Sequence, residues 1–377
     1  MSNNTVFFKP RLTGKRFEDH AMPVELLSDF AALEELLIEL AKQKYLEANP
    51  DRKRIPKGFT DGISLKLSGI EQGSVLPSFV LASAIATGGL FSGNDSALTY
   101  FEQAKQQFIE VVAASHNDNL SNAFFPTNYL SYFNRIGKNL MDDEAIDFNP
   151  SETTCKAILN KSSRRRIILS AGQNANYSDK IKINVQVSEL DKSKQTFTIE
   201  NGLIRITGIT VPLEHKVTIY NLFTEYEKGC YAEIQGTALF NHSEKIINIE
   251  NIEHMDVLDP MDVSVRLDQI ALLEEGWYYG EGIKVDAESL KAFNIIFNAN
   301  FEKELPLPAT FPSIDGNIQM EWNSNVHDIS LKINLADQTA ELHHLNLVTD
   351  EEFEKTVNIL SSEDWIFLND FIKNTMS

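Results

Sequence analysis

Cysteine is nearly missing from this chain. Its 377 residues hold two, Cys155 and Cys230. They are too far apart for a metal-ligand or CxxC redox motif, and two lone thiols suit a reducing cytoplasm better than a disulfide scaffold. Long apolar runs are also missing. The most apolar stretch, VLPSFVLASAIATGGLF, is broken by Pro77, Ser78, Ser83 and a glycine pair, and it falls short of the ~20 apolar residues that a membrane span requires. The N-terminus MSNNTVFFKPRL has no apolar segment after a basic start, so the expectation is a cytoplasmic protein with no secretory signal and no membrane contact. The chain also has no GxxxxGK[ST] loop, GxGxxG, GxSxG, HExxH or CxxC. This removes the motif-bearing nucleotide binders, serine hydrolases and zinc peptidases, and nothing calls for a cofactor or metal.

Positive charge is scarce too: Lys and Arg number 34 against 54 Asp and Glu, a net charge of −20. The deficit is uneven. From Glu250 to the end there are 25 acids and 7 bases, whereas residues 151–249 hold 13 bases and 10 acids. A surface as acidic as that last third repels phosphate backbones and favours cationic partners. Acidity of this kind also serves solubility alone.

What is present is ordinary globular material, 42% apolar and 23% charged, long enough for two or three domains of roughly 100–200 residues each. The pattern predicts an α+β, multidomain protein in three blocks. Residues 1–150 read as an N-terminal α+β domain. Its long helix from Pro23 to Ala48 carries Leu26, Leu27, Phe30, Leu33, Leu36, Leu37 and Leu40 at helical spacing. Two strands follow, ISLKLSGI and GSVLPSFVLA, with Pro77 expected at an edge or bulge. A helix capped by Asp95 runs through Ser115, and a further helical piece covers 129–140. Residues 151–258 read as a central small all-β, barrel-like domain. It consists of short strand-type runs, among them RIILS and HKVTIYNLFTEY, with no helix of note, and Asn201-Gly202 marks a type I′ hairpin. Residues 259–377 read as the acidic C-terminal α+β domain. It has a helix over 263–274, a second capped by Asp286, a proline-stiffened connection, a three-stranded antiparallel sheet (NIQMEW, DISLKINL, AELHHLNL) and a helical tail from Asp350 to Lys373 containing Trp365.

The candidate sites are few. The stretch EEGWYYGEGIKVDAESL places Trp277, Tyr278, Tyr279, Glu281 and three glycines between two helices. We expect a rigid corner with Trp277 buried against Trp322 or the adjacent helices. Tyr278 and Tyr279 are the candidate partner-binding residues, with at least one left for a protein partner. Glu281 and Glu321 are the candidate acid/base pair of a hydrolase, should the strand carrying Glu321 pack on the loop. Packing of the tryptophans beside structural or surface glutamates is the plainer expectation. Glu341 and His343, with His344, His327 and Asp328 nearby, offer metal-ligand types but fall short of a ligand set, so no metal is expected. Two basic runs, Arg52-Lys53-Arg54 with Lys57 and Lys161 with Arg164-Arg165-Arg166, could contact nucleic acid. The second could act with Phe197, Tyr220, Phe223, Tyr226 and Tyr231 of the central block. Core packing is the commoner use of such aromatics.

In the third block, Leu258-Asp259-Pro260, Arg266-Leu267-Asp268, Glu275-Gly276-Trp277, Gly280-Glu281-Gly282, Leu305-Pro306-Leu307-Pro308, Asp315-Gly316 and Glu321-Trp322 form a word pattern. With VSELDKSKQTFTIENG upstream, it resembles uncharacterised bacterial proteins met in mobile or anti-phage defence gene neighbourhoods. The resemblance implies a partner-dependent role and no catalytic residue. The leading expectation is a non-enzymatic regulatory, scaffold or antitoxin-like subunit of a defence or toxin–antitoxin module. A nucleic-acid sensor built on the central block and a glutamate-pair hydrolase are the alternatives.

Overall fold

The computed structural model describes residues 6–19, 21–57, 59–60, 63–71, 75–82, 97–120, 125–152, 156–172, 175–259 and 261–376. Its contacts divide the chain into two compact units. One holds residues 1–180 and 237–247; the other holds 181–236 and 248–377. The boundary drawn at 150 from composition falls inside the first unit, between two strands of one sheet.

The first unit opens with β1 (Val6–Phe8), β2 (Arg11–Thr13) and α1 (Leu26–Ala48). The helical period buries Leu26, Phe30, Leu33, Leu36, Leu37, Leu40 and Tyr45 on one side of α1. Asn49 ends it, its amide donating to the Tyr45 carbonyl at 2.8 Å. β3 (Ser64–Glu71) and β4 (Leu76–Ala82) pair antiparallel, with a bulge between Leu67 and Gly69. In the sheet order β1-β4-β3, β4 is the central strand; of the edge or bulge expected from Pro77, the structure has the bulge, opposite Phe79 and Ser78. The proline is tolerated because β1 pairs only with Phe79 and Val80, so β4 has no second neighbour at Pro77. Asp95, the expected cap, lies outside the described residues. α2 (Ala97–His116) follows, then a short 3-10 helix over Thr127–Asn134 where a longer helical piece was expected. β5 (Ala145–Asp147) and β6 (Ile158–Leu159) complete a second small sheet in the order β2-β5-β6.

α3 (Lys161–Leu169) is the first clear departure from the sequence pattern. RIILS reads as a strand, but Asn160 and Ser163 form a capping box. The Asn160 side chain accepts from the Ser163 amide (2.8 Å), and Ser163 Oγ accepts from the Asn160 amide (2.9 Å). Next come β7 (Tyr177–Asp191), β8 (Thr196–Glu200), β9 (Arg205–Thr210), α4 (Lys216–Thr224), β10 (Ala232–Phe240) and β11 (Ile246–Val257). Here the barrel expectation is corrected. The strands form an open five-stranded sheet, β11-β10-β7-β8-β9, whose end strands do not pair with each other. α4 replaces another expected strand. Its β-branched residues suggest extension, but Ile219 and Leu222, three apart, are the buried pair, while Val217 is exposed. The β8–β9 connection runs Asn201 to Ile204. Asn201 Oδ1 accepts the Leu203 and Ile204 amides and the Asn201 amide donates to the Ile204 carbonyl at 3.2 Å, so the turn centres on Gly202 and Leu203, one residue later than expected.

The second unit continues with α5 (Val263–Ala271) and α6 (Ala287–Asn300), capped by the Asp262 and Asp286 carboxylates. β12 (Ala309–Pro312), β13 (Ile318–Asn323), β14 (His327–Asn334), β15 (Thr339–Asn346) and β16 (Glu352–Asn358) then form a consecutive antiparallel meander, and α7 (Ser362–Met376) closes the chain. The three strands expected here are β13–β15. β12 was hidden in the proline-rich connection and β16 at the start of the expected tail helix. Alternation puts Ile318, Met320, Trp322, Ile329, Leu331, Ile333 and Leu342 on the face that packs against α5, α6 and α7. The other face is mainly polar, with Phe311 and Leu345 set among its polar side chains.

Candidate functional site

The loop between α5 and α6 is held by its own backbone. The Gly276 amide donates to the Gly282 carbonyl at 2.7 Å, the Gly280 amide to the Gly276 carbonyl at 3.0 Å, and the Glu281 amide to the Tyr278 carbonyl at 2.9 Å. Gly276 and Gly280 adopt φ of +79° and +91°, which L side chains resist. A Cβ on Gly282 would lie 2.6 Å from Trp277 Nε1, so the indole lies flat on that glycine. Trp277 Nε1 also donates to the Ile283 carbonyl at 3.2 Å. The tryptophan is therefore a half-buried clamp within the loop, which corrects the expectation of burial against Trp322 or the adjacent helices. Trp322 belongs to the core, 4% exposed, stacked on Phe301 and donating to the Pro306 carbonyl at 2.8 Å.

With the indole turned onto the loop, both tyrosines face outward. Tyr278 is 47% exposed and Tyr279 93%. Tyr279 holds a φ of +50°, a left-handed conformation uncommon for a residue with a side chain. The rings of Tyr278 and Tyr279 meet edge to face at 4.9 Å, and Trp277 lies 5.7 Å from Tyr278. The Ile283 amide donates to the Ile314 carbonyl at 2.9 Å, bringing together two further exposed apolar residues where the loop ends. Glu274, Glu275 and Glu281 are exposed around them; the Lys284 ammonium pairs with Glu274 at 3.1 Å and its backbone amide donates to Glu275 at 2.9 Å. Ile283 and Ile314 escaped the sequence reading because their proximity depends on the β12–β13 turn meeting the loop.

Glu281 and Glu321 are not brought together. Glu321 points to the polar face of β13, away from the helices that the loop joins, and accepts from Gln319 Nε2 at 2.7 Å. No hydrogen bond or ion pair connects the two carboxylates among the described residues. The same polar face carries a row the sequence reading missed: Glu321, Ser330, His343 and Glu354 stand opposite one another across β13–β16. The residue types suggest nucleophilic catalysis, but no hydrogen bond joins Ser330 to His343 or His343 to Glu354, and an activated nucleophile requires that contact.

His343 and His344 fall on opposite faces. His344 is on the inner side, its Nε2 3.0 Å from Nδ1 of His327 and its ring 5.4 Å from Phe371. Among the described residues no group of three or more His, Cys, Asp or Glu side chains could hold a metal. Burial and the neighbouring His327 and His343 push the His344 pKa below its ordinary value, against the pull of Asp328. The folded chain therefore binds fewer protons here than the unfolded one. The resulting stability is present above the usual imidazole pKa and lost as pH falls below it. Urea titrations followed by tryptophan fluorescence at pH 7.5 and 5.5 should show this loss, and His344→Gln should lessen it; an unchanged pH slope in that variant would refute the assignment.

The arginine run is committed internally. Arg164 is fully buried, which corrects its candidacy as a phosphate contact. Arg165 pairs with Glu244 at 2.6 Å and lies over the Tyr177 ring at 4.8 Å; Arg166 pairs with Asp118 at 3.3 Å. Of the central aromatics, Phe197 is core, Tyr226 donates to Glu200 at 2.5 Å, and Tyr220 lies under Lys192 and Lys216. Arg52, Lys53 and Arg54 are exposed. The chain matches no protein-family model, no curated protein and no solved structure.

Proposed function

We propose that the chain is a non-enzymatic interaction subunit that binds a protein partner through the Tyr278–Tyr279 loop. Within the defence or toxin–antitoxin setting that the resemblance implies, it would serve as regulator, scaffold or antitoxin-like inhibitor. The observation that carries this is the exposure of two adjacent tyrosines on a backbone-locked loop, one of them in a strained conformation. Rigid aromatics lose little conformational entropy on binding and are enriched among hot spots. The surrounding glutamates favour a cationic partner and speed its encounter. The hydrolase reading lacks a joined carboxylate pair, and the nucleic-acid reading loses Arg164, the first of its three arginines, to the core.

Replacing Tyr278 and Tyr279 together by alanine should weaken binding of the partner recovered from the native host by about 2 kcal/mol or more. Thermal melting should stay within about 0.5 kcal/mol of the parent, as expected of exposed side chains. Titration of the purified pair, run beside melting of the same variant, decides it. Undiminished binding would remove the loop as the partner site.

A further inference from the structure

The meander β12–β16 has two edges, and they are treated differently. At β12 the Thr310 carbonyl accepts from Arg266 Nε and Nη2, at 3.4 and 3.3 Å, and Pro312 has no amide to offer. At β16 the edge is open among the described residues. The Asn358 amide turns away from β15 to the Asp364 carboxylate, 2.8 Å away, while the next amide, of Ile359, reaches the Gln338 carbonyl on the β15 side at 3.1 Å. Alternate residues of an antiparallel strand turn their amides and carbonyls to opposite edges. Glu352, Glu354 and Thr356 therefore direct theirs outward, and all three are exposed.

An open edge alone is a hazard that charged side chains commonly blunt. Here a second feature lies beside it. Phe353, 40% exposed, stacks on Phe371 at 5.5 Å, and Phe367 lies 5.9 Å from Phe371. The Lys355 ammonium sits 3.5 Å over the Phe367 ring. Phe367 and Phe371 come from α7, so half-buried aromatics line the inner side of the open edge while Glu352 and Glu354 line its outer side.

We infer that β16 is a β-augmentation site for an extended segment of a partner protein in which basic and apolar side chains alternate. Period-2 alternation would set the apolar residues over Phe353, Phe367 and Phe371 and the basic ones beside Glu352 and Glu354, while the backbone pairs with the outward groups of β16. A second copy of this chain is a poor occupant, because pairing β16 with itself adds acid to acid in a chain of net charge −20. The site is separate from the tyrosine loop.

The probe is a capped peptide of about eight residues alternating lysine with valine, compared with one alternating glutamate with valine. At about 0.15 M salt, where long-range attraction is screened, the lysine peptide should bind saturably and at least tenfold tighter than the glutamate peptide. It should also slow exchange of the Glu354 and Thr356 amides at least tenfold. Thr356→Pro removes one outward amide that β15 does not use, and Phe367→Ser removes part of the aromatic lining. Each should cost about tenfold in peptide affinity, and the Tyr278→Ala, Tyr279→Ala double variant should cost none. Absence of saturable binding at millimolar peptide, equal binding of the two peptides, or unprotected Glu354 and Thr356 amides would each overturn the inference. The exchange result uses the parent protein, so it decides even if Thr356→Pro fails to fold.

Discussion

Replacing Arg164 by alanine should destabilise the first unit by about 3–5 kcal/mol, the range for stranding one side of a buried charged network. Arg164 is wholly buried, and all of its guanidinium nitrogens but Nη1 are hydrogen-bonded. Nε donates to the Phe133 carbonyl (2.7 Å), and Nη2 donates to those of Asn134 (3.1 Å) and Ser178 (2.6 Å). Nη1 lies 3.7 Å from the Asp179 carboxylate. One side chain thus ties the 3-10 helix to the start of β7 from a position on α3. Removing it takes a donor from three carbonyls and leaves Asp179 buried without its nearest cation. It also withdraws positive charge that favours the ionised form of Asp29, a buried carboxyl whose pKa burial has already pushed up to about 6. Arg164→Lys should recover only part of the loss, because an ammonium cannot reproduce the planar fork. Urea titration by circular dichroism measures both. A loss below about 1 kcal/mol in the alanine variant would mean that water replaces the guanidinium at little cost.

The second large effect separates two tryptophans that look alike in the sequence. Trp322→Ala should cost about 3–5 kcal/mol, as expected when a large aromatic leaves a packed core. It removes the Phe301 stack, leaves a void among Phe301 and its neighbours and orphans the Pro306 carbonyl. Trp277→Ala should cost roughly 1–2 kcal/mol, because that ring covers only its own loop, and its damage should appear in partner binding. Melting and binding measured on both variants test the contrast. Equal destabilisation would mean that Trp277 reaches the core after all.

The parts of the fold that sequence periodicity revealed are those where one periodicity had no competitor. The apolar positions of α1 from Leu26 through Phe30 to Leu40 repeat every third or fourth residue over about four turns, and Ile318, Met320 and Trp322 alternate cleanly with Gln319 and Glu321. Asp286 announces its helix by the short, strong contact it makes with Ser289. The failures share a physical cause: local preference and tertiary demand disagree. Ile167, Ile168, Val217 and Ile219 favour extension, but Asn160 caps one segment and the spacing of Ile219 and Leu222 suits burial of the other as helices. Strand β16 is the converse, an acidic stretch that finds its conformation by pairing with β15. The tyrosine loop was legible as a loop because of its glycines. Which aromatic would turn inward was not, since that depends on the indole lying on Gly282, where any Cβ would come within 2.6 Å of Nε1. The arginine run misled for a similar reason: three adjacent cations on a short helix must face different directions, and Arg164 happened to face inward.

The first unit borrows residues 237–247 from far along the chain. There Phe240 stacks on Tyr177 at 5.2 Å and Glu244 meets Arg165. During synthesis this has a timing consequence. At about 5–20 residues per second, the helices and small sheets of residues 1–180 emerge from the ribosome several seconds before the segment that finishes them. Until then the Tyr177 ring and the Arg165 head lack their counterparts, and the nascent unit must wait with that patch open. A translational pause placed after residue 247 would let it close; one placed shortly before would prolong the exposure.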